Sequence, residues 1–219
     1  MPAHLPTPAP LDPLPTAKEW LAQALGLGRI NANAMALATS DQARRPSVRM
    51  VLLKELAAAG YAVFYTNYGS RKAEELNATQ HAAGVLYWHE LGYQLRFEGV
   101  VVRSPAEESD AYFATRPWRS RINAWSSQQS RPLDDPAELD RRVARKIAEL
   151  GAGNTDSPPP EGIPRPSFWG GYRLWFEAVE LWVEGENRFH ERLRYERELG
   201  ANDAHSFEVG SWSRQRLQP

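Results

Sequence analysis

AMALATSDQARRPSVRMVLLKELAAAGYAVFYTN, residues 34–67, holds three β-compatible runs, at 34–40, 47–54 and 61–67, separated by two short breaks. DQARRP reads as a turn and ELAAAG as a brief connection. Parallel neighbours need a crossover of a dozen or more residues, so strands joined this closely pair antiparallel. The stretch therefore predicts an antiparallel meander.

Residues on either side extend that reading. Upstream, residues 1–14 are proline-rich and read as a flexible arm, with no basic or apolar region of a secretory signal. Thr16 and Glu19 form a capping-box pattern, and KEWLAQAL reads as a short helix ended by GLG. Downstream, YGSRKAEELNAT (68–79) is a turn running into a helix. HAAGVLYWH and YQLRFEGVVVRS read as a strand pair around Glu90–Gly92. Ser104-Pro105-Ala106-Glu107 opens a helix that should run to Pro117, and Asp135-Pro136-Ala137-Glu138 opens another, to about Leu150. GAGNTDSPPPEGIPRPS (151–167) reads as a flexible loop, and the remainder as further strands. The expectation is an α+β protein with an antiparallel β-barrel core, peripheral helices and one domain over 15–219. No G-x-G-x-x-G follows a strand, so no dinucleotide fold is predicted.

The 219 residues carry a formal net charge of -1, 42% hydrophobic and 24% charged residues. That balance gives no global field for nucleic acid or an anionic membrane, so any anion site must be local. No apolar run approaches the ~20 residues needed to span a bilayer. Cysteine is absent, which excludes disulfides, thiolate catalysis and cysteine-ligated metals. The histidines show no ligand spacing, so no metal is expected. A cytoplasmic location fits this composition.

Four short stretches carry local positive charge beside groups that bind anions. NRFHER (187–192), read as an extended strand, puts Arg188, His190 and Arg192 on one face. RMVLLK (49–54) has a cation at each end, facing opposite sides. GSRK (69–72) places Arg71 and Lys72 at a helix start, where free backbone N–H groups favour phosphate. YFATRPWRS (112–120) spaces Tyr112, Arg116 and Ser120 by four, which puts them on one helical face, although Pro117 perturbs the turn. Each alone is also compatible with a solvated surface.

Taken in order with YQLRFEG, WSSQQS, PSFWGGYR, VELWVEGENRFHERLRY and the final RLQP, these stretches resemble the pyridoxine/pyridoxamine 5'-phosphate oxidase family from about Ala34 to the end. The resemblance implies a split β-barrel that binds FMN and works as a homodimer through C-terminal strands. It implies an FMN site of Arg49, Met50, Val51, Leu52, Leu53, Lys54, Tyr65, Thr66, Arg71, Lys72, Gln94, Gln129, Ser130, Trp182 and Arg192. It implies that Lys54, Tyr112, Arg116 and Ser120 hold the substrate phosphate, with Arg188 and His190 over the pyridine ring as the catalytic pair. The implied reaction belongs to vitamin B6 metabolism. Pyridoxine or pyridoxamine 5'-phosphate is oxidised to pyridoxal 5'-phosphate by hydride transfer to flavin N5, with oxygen as acceptor and hydrogen peroxide as by-product. The chain departs from the family pattern in three places: the arm lacks an arginine and a tyrosine, Asn31-Ala32 replaces an acidic residue and proline, and Val183 replaces a glutamine. Two other readings stand beside this one: a phenazine-biosynthesis type oxidase of another flat substrate, and a non-catalytic flavin- or pyridoxal-phosphate-binding protein.

Overall fold

The strands predicted over 34–67 form, but only the first two pair with each other; the third, Tyr61–Asn67, pairs instead with Glu55–Leu56 and with Trp169–Val183. In the computed structural model, which describes residues 4–151, 158–159 and 162–219, β1 (Ala34–Ser40) pairs antiparallel with β2 (Pro46–Leu52). The run predicted over 47–54 stops at Leu52, and Glu55–Leu56 forms a separate strand, β3, against β4 (Tyr61–Asn67). β5 (His81–Trp88) and β6 (Tyr93–Arg103) follow as a hairpin, then β7 (Trp169–Val183), β8 (Glu191–Glu196), β9 (Leu199–Ala201), β10 (Phe207–Val209) and β11 (Ser213–Leu217). The main sheet runs β11-β8-β7-β6-β5-β1-β2, with β4 also pairing β7, while β9 and β10 form a separate hairpin. The fold is mixed, with a curled antiparallel half-barrel sheet and α-helices, the class that the sequence implied.

Two compact units divide the chain. The first takes residues 1–64, 75–103 and 172–219, and the second 65–74 and 104–171. Alternation builds the first. β1 buries Met35, Leu37 and Thr39 on one side, while β2, at the sheet edge, exposes Val48, Met50 and Leu52. Inner strands add Leu95, Phe97, Phe176, Val179, Leu181 and Leu193, with Phe97 stacked on Phe176 at 4.2 Å between centroids. The β6–β7 register shifts between Glu98 and Gly99, and a Cβ at Gly99 would lie 1.9 Å from the Trp175 carbonyl oxygen. Gly99→Ala is therefore expected to cost about 3 kcal/mol, a fall of roughly 9 °C in Tm on thermal unfolding. An unchanged Tm would mean that the bulge yields freely.

Helices depart from expectation at their ends. α1 (Leu14–Gly26) begins before the Thr16 capping box, on Pro13, with Asp12 accepting the Leu14 N–H at 2.9 Å. α2 spans Arg71–Thr79 and α5 Ala137–Glu149, the latter with Asp135 accepting the Ala137 N–H at 2.9 Å. The helix from Ala106 stops at Thr115 (α3), and a further helix, α4 (Trp118–Ser126), follows Pro117. Proline fits the start of a helix as well as it ends one. In the second unit Phe113, Ile122, Ile147, Ile163 and Trp169 form the core. Of the loop expected over 151–167, residues 152–157, 160 and 161 lie outside the described residues.

Of the arm expected to be flexible, residues 1–3 lie outside the described residues and residues 4–13 make defined contacts in the first unit. The His4 ring bonds to Glu191 at 2.5 Å, and Glu191 also accepts the Leu5 N–H at 3.1 Å. Tyr195 donates to the Pro10 carbonyl at 3.0 Å, and Leu5 is buried.

Candidate active site

In the first unit, the strand register lines up three of the predicted residues. Gln94 on β6 faces Trp182 on β7, which faces Arg192 on β8. Arg192 is held bidentately by Glu180, Nε to Oε1 at 2.9 Å and Nη2 to Oε2 at 3.1 Å, and also donates to the Gln218 carbonyl at 3.2 Å. The Glu180 bond raises the pKa of Arg192, which is thus fixed as a cation.

The extended reading of NRFHER does not hold. β8 starts only at Glu191, and residues 186–188 form a 3-10 turn in which Asn187 (φ 52°) and Arg188 (φ 68°) are left-handed. The single cationic face is therefore broken: Arg188 is exposed on the turn, while His190 packs against Trp182 at 4.5 Å between ring centroids. The Gly185 N–H donates to His190 Nδ1 at 3.3 Å. With Nδ1 accepting, Nε2 is the ring nitrogen left to donate. Gly185 is needed for the approach, because a Cβ there would lie 1.9 Å from the Phe189 carbonyl oxygen.

At the sheet edge, Arg49 turns inward. It donates to the Leu37 carbonyl at 3.1 Å, to Thr39 and Ser47, and to Glu75 at 3.2 Å. Glu75 is buried and also accepts from Thr39 and Ser47. Met50 and Leu52 point outward, Val51 is half-buried, Leu53 is buried and Lys54 is exposed. Arg49 and Lys54 thus differ in environment, but not as two ends of one strand, because β2 stops at Leu52.

In the second unit, Lys72 is 7% exposed and donates to Thr66 Oγ1 (3.1 Å), Ser70 Oγ (3.2 Å) and Gln129 Oε1 (3.0 Å). Thr66 donates to the same Gln129 oxygen at 2.8 Å. Arg71 and Lys72 open α2, so an ammonium, hydroxyls and a helix N-terminus gather at one place, which is the chemistry of a phosphate cradle. A cavity of about 610 Å³ is bordered by Asn67, Ser127, Gln129, Trp125, Arg131 and Phe168. Ser130 is exposed with φ 72°.

The same unit stacks Tyr65 on Tyr112 at 4.0 Å and on Trp169 at 5.4 Å. The Arg116 guanidinium lies over Trp169, 4.6 Å from its centroid, and over Phe113 at 5.6 Å. Its Nη1 is buried without a hydrogen-bond partner, and burial lowers its pKa. Ser120 sits on α4, so the one-face spacing of Tyr112, Arg116 and Ser120 is divided between two helices at Pro117.

Sequence reasoning missed Glu180, Glu75 and Trp169. An acidic residue amid the apolar run of β7 was the available signal for Glu180. Nothing local marked Glu75, which looks like an ordinary helix-surface residue. Among the described residues, no cluster of three or more potential metal ligands occurs, and no helix is long and apolar enough to cross a membrane.

Residues 22–148 match the family model described as pyridoxamine 5'-phosphate oxidase, and residues 169–219 match the pyridoxine 5'-phosphate oxidase C-terminal dimerisation region. A pyridoxine/pyridoxamine 5'-phosphate oxidase of Rubrobacter xylanophilus is 46% identical over 208 residues, covering 95% of this chain and 87% of its own. Its counterpart in Cereibacter sphaeroides is 44% identical, covering 95% of each chain. The crystal structure of PhzG from Burkholderia lata in complex with tetrahydrophenazine-1-carboxylic acid superposes with a TM-score of 0.79 at 32% identity, covering 96% of this chain and 94% of that one. A pyridoxamine 5'-phosphate oxidase-related, FMN-binding protein of Nostoc punctiforme shares the fold, with a TM-score of 0.68 at 18% identity over 96% of this chain and all of that one.

Proposed function

The chain belongs to the pyridoxine/pyridoxamine 5'-phosphate oxidase family of FMN-dependent oxidoreductases, and we propose that it oxidises pyridoxine or pyridoxamine 5'-phosphate to pyridoxal 5'-phosphate with oxygen as acceptor. The observation that carries the substrate class is Arg116. A buried guanidinium nitrogen without a partner is costly, and a phosphate oxygen satisfies it with a charge-assisted bond.

The donor set fits FMN. Lys72, Thr66 and Gln129 supply phosphate-binding chemistry, Arg49 a second anchored cation, and Gln94, Trp182 and Arg192 a row of polar and aromatic groups suited to a flavin. Met50, Val51, Leu52, Leu53, Lys54, Tyr65, Arg71 and Ser130 complete the proposed cofactor set. FMN held by these residues would supply a two-electron acceptor for the substrate carbon, with oxygen as the final acceptor and hydrogen peroxide as by-product. The protein's own work is orientation and electrostatics. Lys54, Tyr112, Arg116 and Ser120 anchor the substrate phosphate, which aligns the reacting carbon. Arg188 and His190 hold the pyridine ring, His190 through its Nε2–H. The matched dimerisation region supports a homodimer.

Arg188→Ala and His190→Ala are each expected to lower turnover roughly a hundredfold, about 3 kcal/mol, while the visible spectrum of bound FMN stays unchanged. Wild-type kinetics in both variants would remove the pair from the active site.

The proposal is tested anaerobically by mixing FMN-loaded protein with each phosphorylated substrate. Bleaching of the flavin, with pyridoxal 5'-phosphate formed and colour restored by air, supports it. A persistent yellow colour with both substrates overturns it. The likeness to PhzG favours a second reading, an oxidase of a flat tricyclic acid. Bleaching by a reduced phenazine carboxylic acid alone would establish that one.

A further inference from the structure

The face of the sheet that carries Gln94, Trp182 and Arg192 continues as a grid. Register places Arg96, Glu180 and Arg194 in the next row, and Glu98, Ala178 and Glu196 in the one after. Positions two apart on a strand share a face, so all nine side chains lie on one side. Three arginines meet three glutamates. Arg96 bonds to Glu98 at 3.1 Å and to Glu180 at 3.3 Å. Arg194 holds Glu98 at 2.9 Å and Glu196 at 2.8 Å.

Glu180 differs from the other two acids. Its side chain is 2% exposed, against 35% for Glu98 and 53% for Glu196. A carboxylate in such a place is unfavourable unless paired, and an apolar residue there would cost less. What the carboxylate supplies and an apolar residue cannot is direction. Its two oxygens grip the fork of Arg192 in one geometry, and its charge cancels that of the guanidinium.

We infer that Glu180 is a positioning residue for the cofactor: it fixes Arg192 beside Trp182 and sets the net charge that the Gln94–Trp182–Arg192 row presents to the flavin. This rests on the assignment of Arg192 to FMN in the proposed function. Reduction adds electrons to the flavin, and a cation nearby favours the reduced form. Glu180 holds that preference down. Removing its charge leaves Arg192 uncompensated and moves the flavin potential upward.

The test uses FMN-loaded wild type, Glu180→Gln, Arg192→Gln and the double variant. Two-electron midpoint potential and FMN dissociation constant are measured for each. Glu180→Gln is expected to strengthen binding of reduced relative to oxidised FMN about tenfold, a positive shift of about 30 mV. In the Arg192→Gln background the same change should shift the potential less, because the part of the effect that comes from orienting Arg192 is gone. An equal shift in both backgrounds overturns the inference. So does a fall in thermal stability with no shift in potential, which is the signature of a structural role alone. If Glu180→Gln fails to fold, Arg96→Gln carries the test. It frees Glu180 to act on Arg192 alone, so the potential should move down, and an unchanged potential overturns the inference. Weaker FMN binding in Arg192→Gln with a silent Glu180→Gln sinks only the role of Glu180. An Arg192→Gln variant with unaltered FMN affinity and potential removes Arg192 from the cofactor site, and the inference falls with it.

Discussion

Arg116→Met is expected to lower kcat/KM for pyridoxine 5'-phosphate roughly a hundredfold, without lowering Tm and without releasing FMN. Two charge-assisted bonds to a phosphate in a half-buried setting contribute about 3 kcal/mol, a little over two decades in rate. The stability half of the expectation has a separate cause. In the folded protein the guanidinium has a buried nitrogen with no partner, and burial lowers its pKa, so its charge is held at a cost. Methionine fills similar space and leaves nothing unsatisfied. What it loses is the contact over Trp169, worth about 1 kcal/mol, against a desolvation penalty of comparable size or larger. Steady-state kinetics and thermal unfolding on the same samples decide the matter. A drop in Tm alongside the loss of activity would make Arg116 part of the scaffold rather than the phosphate anchor.

Lys72→Met should weaken FMN binding by roughly a hundredfold, again about 3 kcal/mol. Burial sets the size. Lys72 is 7% exposed, and a charged bond from such a residue to a phosphate is poorly screened. Arg71, its exposed neighbour at the start of α2, is the internal control: Arg71→Met should weaken binding only about fivefold, about 1 kcal/mol. Fluorescence titration of apoprotein with FMN gives both constants, and raising the salt should affect the Arg71 contribution more. Equal effects from the two substitutions would argue against Lys72 as the main phosphate contact.

Where periodicity and short connections governed, the sequence was readable. β1, β2, β4, β5 and β6 follow from runs of β-branched and apolar residues broken by turn-formers, and the hairpin at Glu90–Gly92 closes on a left-handed Gly92. Helix boundaries were less legible. Pro117 reads equally well as a stop and as a start, and only tertiary packing of Ile122 and Ala124 reveals α4. Ser104, which looks like a cap, leaves its hydroxyl buried without a partner, while Pro105 takes the cap position. The cationic stretches were visible because charge is written in the residue type. Their partners were not: Glu75 and Glu180 meet Arg49 and Arg192 through folding, across 26 and 12 positions. The NRFHER stretch was misread because alternation assumes extended backbone, and the turn at Asn187–Arg188 is left-handed.

That turn has a thermodynamic corollary. A left-handed residue other than glycine costs about 1 kcal/mol or more, and asparagine tolerates it better than arginine does. The chain accepts this cost when it folds, before any ligand arrives. Arg188 therefore stands in its conformation in advance, and little backbone entropy remains to be lost when a ligand binds there. The rigidity that makes the turn expensive to fold makes it inexpensive to use.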